Sequence, residues 1–415
     1  NCSTFDGWAA ASDACVDFGL STNRMFGMFG FGQHGLGQHG VAQLGHLQHA
    51  RFEYLPTKAQ ILAPVSSVGR ELSDRLQERL RLKQFPDTDL SDLAPGCRSS
   101  PGSIYYVHQV PVVGFGSVIE YTMMFLARAS TMGAQLTLGR ASTLEWTSSW
   151  HCGDERSLLC YFNITSCCGA LWEPSGELRL PRLRNPLNIG IQGYNRLGSA
   201  WLSGQLAHFF FSRFTAPTAA AVGARRSSLP SVRRGDGVIG MHIRGGDSCA
   251  ARRFCPSNLS VYFERAAQLR SLYGASRVLL ATDDTRAASL CASHPFGMRC
   301  DTLRIARDKF ASNTFIEKRV GAHASGPLSG SAVALDMLAD VDMLADCDYL
   351  VILFRSAVSR LAYALSLARW NRPQPVISMQ WPWSPAYFKV AMRKAARPKR
   401  QLRGSAPQEL GRPVS

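Results

Sequence analysis

Apolar positions fall into two rhythms along this chain. In the second half, short near-continuous apolar runs alternate with stretches at helical spacing. The runs are residues 238–243 (VIGMHI), 277–282 (RVLLAT), 349–354 (YLVILF) and 374–379 (QPVISM). Runs of this length without polar alternation are what strands buried on both faces require. Between them, residues 257–273 carry Leu259, Phe263, Ala266 and Leu269 on one helical face, and residues 330–345 carry Val333, Met337, Asp340 and Leu344 in register. Residues 285–293 and 356–369 read as two further helices. Strands alternating with helices predict a parallel sheet, whose ligand site lies beyond the C-terminal ends of the strands.

The first half is less regular. Residues 66–85 space Leu72, Leu76 and Leu80 as an amphipathic helix. Residues 104–113 are strand-like and are broken by Gly114-Phe115-Gly116-Ser117. A helix over 118–132 and a strand over 134–138 then complete a βαβ-like unit. Residues 197–214 read as a helix, and 216–234, rich in Ala, Ser, Pro and Arg, as a connecting segment. Residues 27–49 are rich in Gly, Gln and His. The G-x-G-x-x-G spacing at 30–35 lies inside that stretch, without the strand and helix that would give it meaning. The expected organisation is a low-complexity stem over 1–60, an N-terminal α/β domain over 61–230, a C-terminal Rossmann-like domain over 235–385 and a disordered basic tail over 386–415.

Composition narrows the partners. With 415 residues and 46% apolar residues, the chain can bury a core without metals or staples. Its formal charge of +16 suits an anionic partner. The basic residues of the tail lack interleaved aromatics, so a phosphorylated small molecule is favoured over nucleic acid. Of the 12 cysteines, Cys152 with Cys160, Cys249 with Cys255, and Cys291 with Cys300 form close pairs at spacings that fit no zinc or redox motif. Sequons start at Asn1, Asn163 and Asn258. Sequons with paired cysteines favour an oxidising lumen over reduced cytosolic thiols. A Golgi or secretory-pathway lumen is expected, with a type II membrane anchor preceding Asn1.

Candidate chemistry sits at three strand ends. His242-Ile243-Arg244-Gly245-Gly246-Asp247 closes the first run. The Arg244 fork matches phosphate oxygens, and Gly245 and Gly246 let backbone N–H groups approach them; the alternative is an Arg244–Asp247 ion pair. Thr282-Asp283-Asp284 closes the second run, where the acids can hold sugar hydroxyls, hold a cation or cap the next helix. Phe354-Arg355-Ser356-Ala357 follows the third run and opens a helix, a ready anion site.

These segments resemble the α1,6-fucosyltransferases, the related bacterial nodulation fucosyltransferases and, more distantly, the protein O-fucosyltransferases. HIRGGD is similar to the family's His-x-Arg-Arg-x-Asp motif at His242, Arg244 and Asp247. Ala281-Thr282-Asp283-Asp284 matches a second region, and Asp336 with Phe354-Arg355-Ser356 a third. Tyr262 stands where the family has a tyrosine on the helix after the first motif. The likeness covers about residues 236–380, and more faintly 97–215 at Gly114-Phe115-Gly116-Ser117 and Cys160-Tyr161-Phe162.

The resemblance implies an α/β fold of GT-B type with two Rossmann-like domains. It also implies inverting transfer from GDP-fucose to a glycan or glycoprotein acceptor, with no metal or other cofactor. His242 and Asp336 would hold guanine, and Arg244 and Ser356 the diphosphate. Two departures stand out: Gly245 replaces the motif's second arginine, and the base of the α1,6 enzymes has no match near 248–254. Asp247 is the remaining candidate base. Two other readings stay open. One is a non-catalytic nucleotide- or glycan-binding descendant. The other is a metal-dependent GT-A enzyme using Asp340-Val341-Asp342 or Asp346-Cys347-Asp348.

Overall fold

The computed structural model describes residues 52–65, 67–85, 104–107, 113–138, 144–165, 190–247, 258–312, 314–320 and 328–380. The stem before residue 52, the basic tail, the Asn1 sequon and the Cys249–Cys255 pair lie outside them. In chain order the elements are β1 (Phe52–Tyr54), α1 (Lys58–Leu62), α2 (Ser67–Gln84), β2 (Ile104–Val107), α3 (Phe115–Thr131), β3 (Gln135–Leu138), α4 (Ser149–Cys152), α5 (Gly198–Phe211) and α6 (Ala216–Arg226). There follow β4 (Val238–Ile243), α7 (Ser260–Tyr273), β5 (Arg277–Thr282), α8 (Thr285–Ala292), β6 (Arg299–Thr302), α9 (Gly330–Ala345), β7 (Tyr349–Ile352), α10 (Ala357–Trp370) and β8 (Val376–Ser378).

Six strands form one sheet in the order β1-β8-β7-β4-β5-β6, parallel throughout except for the antiparallel β1. Its inner strands are buried on both faces. Ile239, Met241, Val278, Leu280 and Val351 pack with Tyr262 and Phe263 of α7 on one face. Val238, Leu279, Ala281, Leu350 and Ile352 pack on the other against α9 and α10. That double burial is why these strands read as continuous apolar runs. The chain steps outward from β4 through β5 to β6, then returns to β7 on the other side of β4. The β4/β7 boundary is therefore a topological switch point, where helices diverge to opposite faces and leave a crevice.

The N-terminal half contributes a single parallel pair, β2–β3, bridged by α3, among the described residues. It joins the other half through α5 and α3 against α10, and α6 against α9. Glu120 of α3 and Arg360 of α10 make a bidentate pair at 2.7 and 2.6 Å, both side chains buried.

The structure departs from the sequence expectations in three places. Residues 52–60 are structured: β1 extends the C-terminal sheet, and α1 begins in a Thr57–Gln60 capping box. Residues 216–226 form helix α6, because a Pro in the first turn followed by an Ala-rich run starts a helix and does not interrupt one. Strand β6 (RCDT) has no apolar run, because it is an edge strand with partly exposed side chains. The disulfides Cys152–Cys160 and Cys291–Cys300 are both formed. Cys347 is free and buried. Asn163 and Asn258 are exposed.

Candidate active site

A cavity of about 240 Å³ opens at the switch point, beyond the ends of β4, β5 and β7. Its wall includes His242 and Arg244 at the end of β4, Thr282 and Asp283 at the end of β5, and Leu353, Arg355, Ser356 and Ala357 after β7. The opposite wall is Gly114 to Ser117 and Trp146 from the N-terminal half. Two helix N-termini thus face one space, those of α3 and α10. They approach so closely that a Cβ on Gly116 would lie 3.1 Å from the Ala357 Cβ. Peptide N–H groups in a helix's first turn lack intrahelical partners and carry partial positive charge, so this is a place for an anion. Ser356 holds the N-cap position of α10 without a side-chain capping bond.

Arg244 lies on this cavity with its side chain 25% exposed. Its Nη2 donates to Asp247 Oδ1 at 2.8 Å, and its Nη1 pairs with Asp283. Asp283 also accepts the Gly245 N–H at 2.7 Å. The two carboxylates hold the guanidinium in place with part of its surface open to the cavity. Gly245 and Gly246 permit this turn sterically. A Cβ at Gly245 would run into the Asp284 side chain, and Gly246 has φ +41° with Asp283 and Phe310 against it. No side chain fits at position 245, which explains the glycine where the resembling motif has arginine.

His242 is buried, and its Nδ1 is hydrogen-bonded to the Ser359 hydroxyl at 2.6 Å. Burial, and then the neighbouring Arg244, bring its pKa down to about 3, so the ring is neutral at physiological pH. On α9, Asp336 and Asp340 sit one turn apart on the cavity wall. Asp336 accepts from Arg225 Nε at 2.8 Å and from Lys309 Nζ at 2.5 Å. Asp340 has no hydrogen bond or ion pair among the described residues. Burial and the adjacent Asp336 carboxyl push its pKa well above the usual carboxylate range.

The structure brings His242, Arg244, Asp283, Asp336, Arg355, Ser356 and Ala357 to one cavity. Gly245 and Gly246 are not in its lining, and the Gly245 N–H is taken by Asp283 rather than offered to a phosphate. Four other expected residues serve elsewhere. Tyr262 is fully buried in the core between α7 and the sheet. Phe354 turns into the core, edge-on to Tyr363 at 5.2 Å. Asp284 caps α8 through the Arg286 N–H at 2.8 Å and pairs with the Arg286 side chain. Asp247 is wholly buried, with Oδ1 held by Arg244 and Oδ2 by the Ile316 N–H. Each oxygen already accepts a hydrogen bond and no solvent reaches the group, so it does not meet the requirements of a base.

Several cavity residues escaped sequence reasoning. Asp340, named in the sequence only as part of a helical face and an Asp-x-Asp pair, lies four positions from Asp336 on one helix and joins it at the cavity. The turn bearing Phe315, Ile316 and Glu317 has no periodic signal. Arg360 donates to the Phe354 and Arg355 carbonyls at 2.8 and 3.0 Å, fixing the β7–α10 turn, and its partner Glu120 is 240 positions away.

No protein-family model and no curated protein sequence matches the chain. Among solved structures, it is similar to NodZ alpha-1,6-fucosyltransferase co-crystallized with GDP, at 15% identity and TM-score 0.37, over 62% of this chain and 90% of that one. Fucosyltransferase NodZ from Bradyrhizobium matches at 14% identity and TM-score 0.36, over 62% and 91%. POFUT1 in complex with GDP-fucose matches at 11% and 0.26, over 42% and 48%.

Proposed function

We propose that this chain is a glycosyltransferase that moves fucose from GDP-fucose to a glycan or glycoprotein hydroxyl, with inversion and without a metal. One observation carries the reading: an arginine held open between two carboxylates shares a cavity with two helix N-termini at a sheet switch point. That arrangement suits a nucleotide diphosphate. The fucosyl and guanine identities rest on the resemblance of HIRGGD, ATDD and the Phe354-Arg355-Ser356 turn. In this reading the diphosphate lies between Arg244 and the first turn of α10. Neutral His242 and the acids of α9 meet the base.

As the bond from C1 to the β-phosphate oxygen breaks, negative charge grows on the leaving GDP and the sugar gains oxocarbenium character. Arg244, Ser356 and the helix termini stabilise that growing charge more than the ground state, which lowers the barrier. The metal-free reading is supported by three of the four acids in the two Asp-x-Asp pairs. Asp342 and Asp346 are engaged by Arg226 and Arg369, and Asp348 accepts three backbone N–H groups. The two disulfides support a secretory-pathway lumen. Golgi residence and a type II anchor belong to the same proposal. Among the described residues no helix is long and apolar enough to cross a membrane.

Isothermal calorimetry with GDP, UDP and GDP-fucose, together with GDP release measured with and without EDTA, tests the reading. GDP binds in preference to UDP, and release survives the chelator. Equal binding of both nucleotides, or loss of release with EDTA, overturns it. Tight GDP-fucose binding without release on any acceptor would favour the non-catalytic alternative, which the missing second arginine also motivates.

A further inference from the structure

Transfer to a hydroxyl is accelerated by a side chain that takes the acceptor proton, and Asp247 is not available. Four acidic residues line the cavity: Asp283, Asp336, Asp340 and Glu317. Asp283 is paired with Arg244 and holds the Gly245 N–H. Asp336 is held by Arg225 and Lys309. Asp340 stands beside it on the α9 wall, where burial favours its protonated form. Glu317 is half-buried and has no hydrogen bond or ion pair among the described residues.

Its position is built. Glu317 is the middle residue of a tight turn over Ile316–Lys318. Ile316 is 4% exposed, and its N–H is gripped by Asp247 Oδ2. The Lys318 N–H bonds Phe315 O at 3.0 Å, and those of Arg319 and Val320 each bond Ile316 O at 2.9 Å. Asp247 therefore holds Arg244 with one oxygen and the Glu317 turn with the other. The group proposed for the leaving diphosphate and the carboxylate on the turn share a single buried anchor.

We propose that Glu317 is the general base of the transfer, taking the proton of the acceptor hydroxyl. This rests on the donor reading above. The acceptor O–H proton passes to the Glu317 carboxylate. The oxygen's electron pair forms the bond to C1 of the sugar. The bond from C1 to the β-phosphate oxygen breaks, and its pair leaves with GDP. Glu317 then returns its proton to solvent.

The test uses the whole chain with GDP-fucose, with water, asialofetuin or sodium azide as acceptor. Glu317→Gln retains GDP affinity within about twofold by calorimetry. It lowers GDP release to water and asialofetuin by about 100-fold. Azide has no proton to lose, so it restores release in Glu317→Ala, with fucosyl azide detected by mass spectrometry. It does not restore Arg244→Ala. Wild-type release by Glu317→Gln, or no azide rescue of Glu317→Ala, overturns the assignment while GDP binding leaves the donor reading standing. A wild-type chain that binds no GDP overturns both. One that binds GDP-fucose but releases no GDP with any of the three acceptors also overturns the base.

Discussion

Two clusters of arginine and carboxylate border helix α9, and they are wired differently. On the side facing α6 and α10, Arg226 and Arg369 each contact both Asp342 and Asp346, closing a four-membered network. On the cavity side, Arg244 is held by Asp247 and Asp283 yet keeps a quarter of its side chain exposed, and Asp340 makes no hydrogen bond or ion pair among the described residues. The residue types are the same. In the first cluster every charge has an opposite within the protein, so the cluster cements helix packing. In the second a paired but partly exposed guanidinium opens on a cavity, so a ligand can reach it. Unmatched polar groups at a concave site are a better guide to function than the density of charge.

The sharpest way to break the comparison is to alter one arginine in each cluster. Arg244→Lys keeps a charge but loses the planar fork that serves two carboxylates and a phosphate at once. It should lower GDP release from GDP-fucose by roughly 10²–10³-fold. Arg226→Ala should cost about 1–3 kcal/mol of stability in urea unfolding, with GDP affinity unchanged in the folded protein. Equal loss of GDP binding in both variants would erase the distinction.

A smaller effect separates the clusters by pH. His242, on the cavity side, has its pKa lowered by burial and then by Arg244 to about 3. The unfolded chain, with a histidine pKa of about 6.5, takes up that proton first as the solution is acidified. The contribution is therefore intact above pH 6.5 and lost as pH falls towards 3, at up to about 1.4 kcal/mol per pH unit. Urea unfolding at a series of pH values should show a shallower acid slope in His242→Asn than in the parent. An unchanged slope would mean that the ring is not buried neutral.

The smallest contrast concerns two adjacent aspartates. Asp284→Ala should cost about 0.5–2 kcal/mol, the value of a lost N-cap, without changing GDP affinity. Asp283→Asn should weaken GDP binding, because it frees Arg244 from its seat. Calorimetry and thermal unfolding on both variants decide it; a reversed pattern would move the site residue from 283 to 284.

How much of this was legible depended on burial. Residues 238–243, 277–282 and 330–345 were read to their observed boundaries, because elements packed on all sides repeat apolar residues without interruption. β1 is three residues long and β6 is a polar edge, and neither carries such a run. At the cavity, Arg244 and Asp283 are legible because each directly follows an apolar run, Ser356 because it comes one residue after one, and a parallel sheet gathers its strand ends. Tyr262 and Phe354 were placed by likeness and lie in the core, since a motif position does not say which way a side chain turns.

The sequence alone determined the α/β alternation and the edge of the sheet at which chemistry would gather, because side-chain periodicity reports which face of an element is buried. It could not decide how polar atoms pair. Asp247 meets Ile316 across 69 positions, and Glu120 meets Arg360 across 240. Both contacts exist only once segments distant in sequence have folded together, and the second joins the two halves. The first makes Asp247 the anchor of the turn that carries Glu317 on the cavity wall, and the second fixes the turn that opens α10.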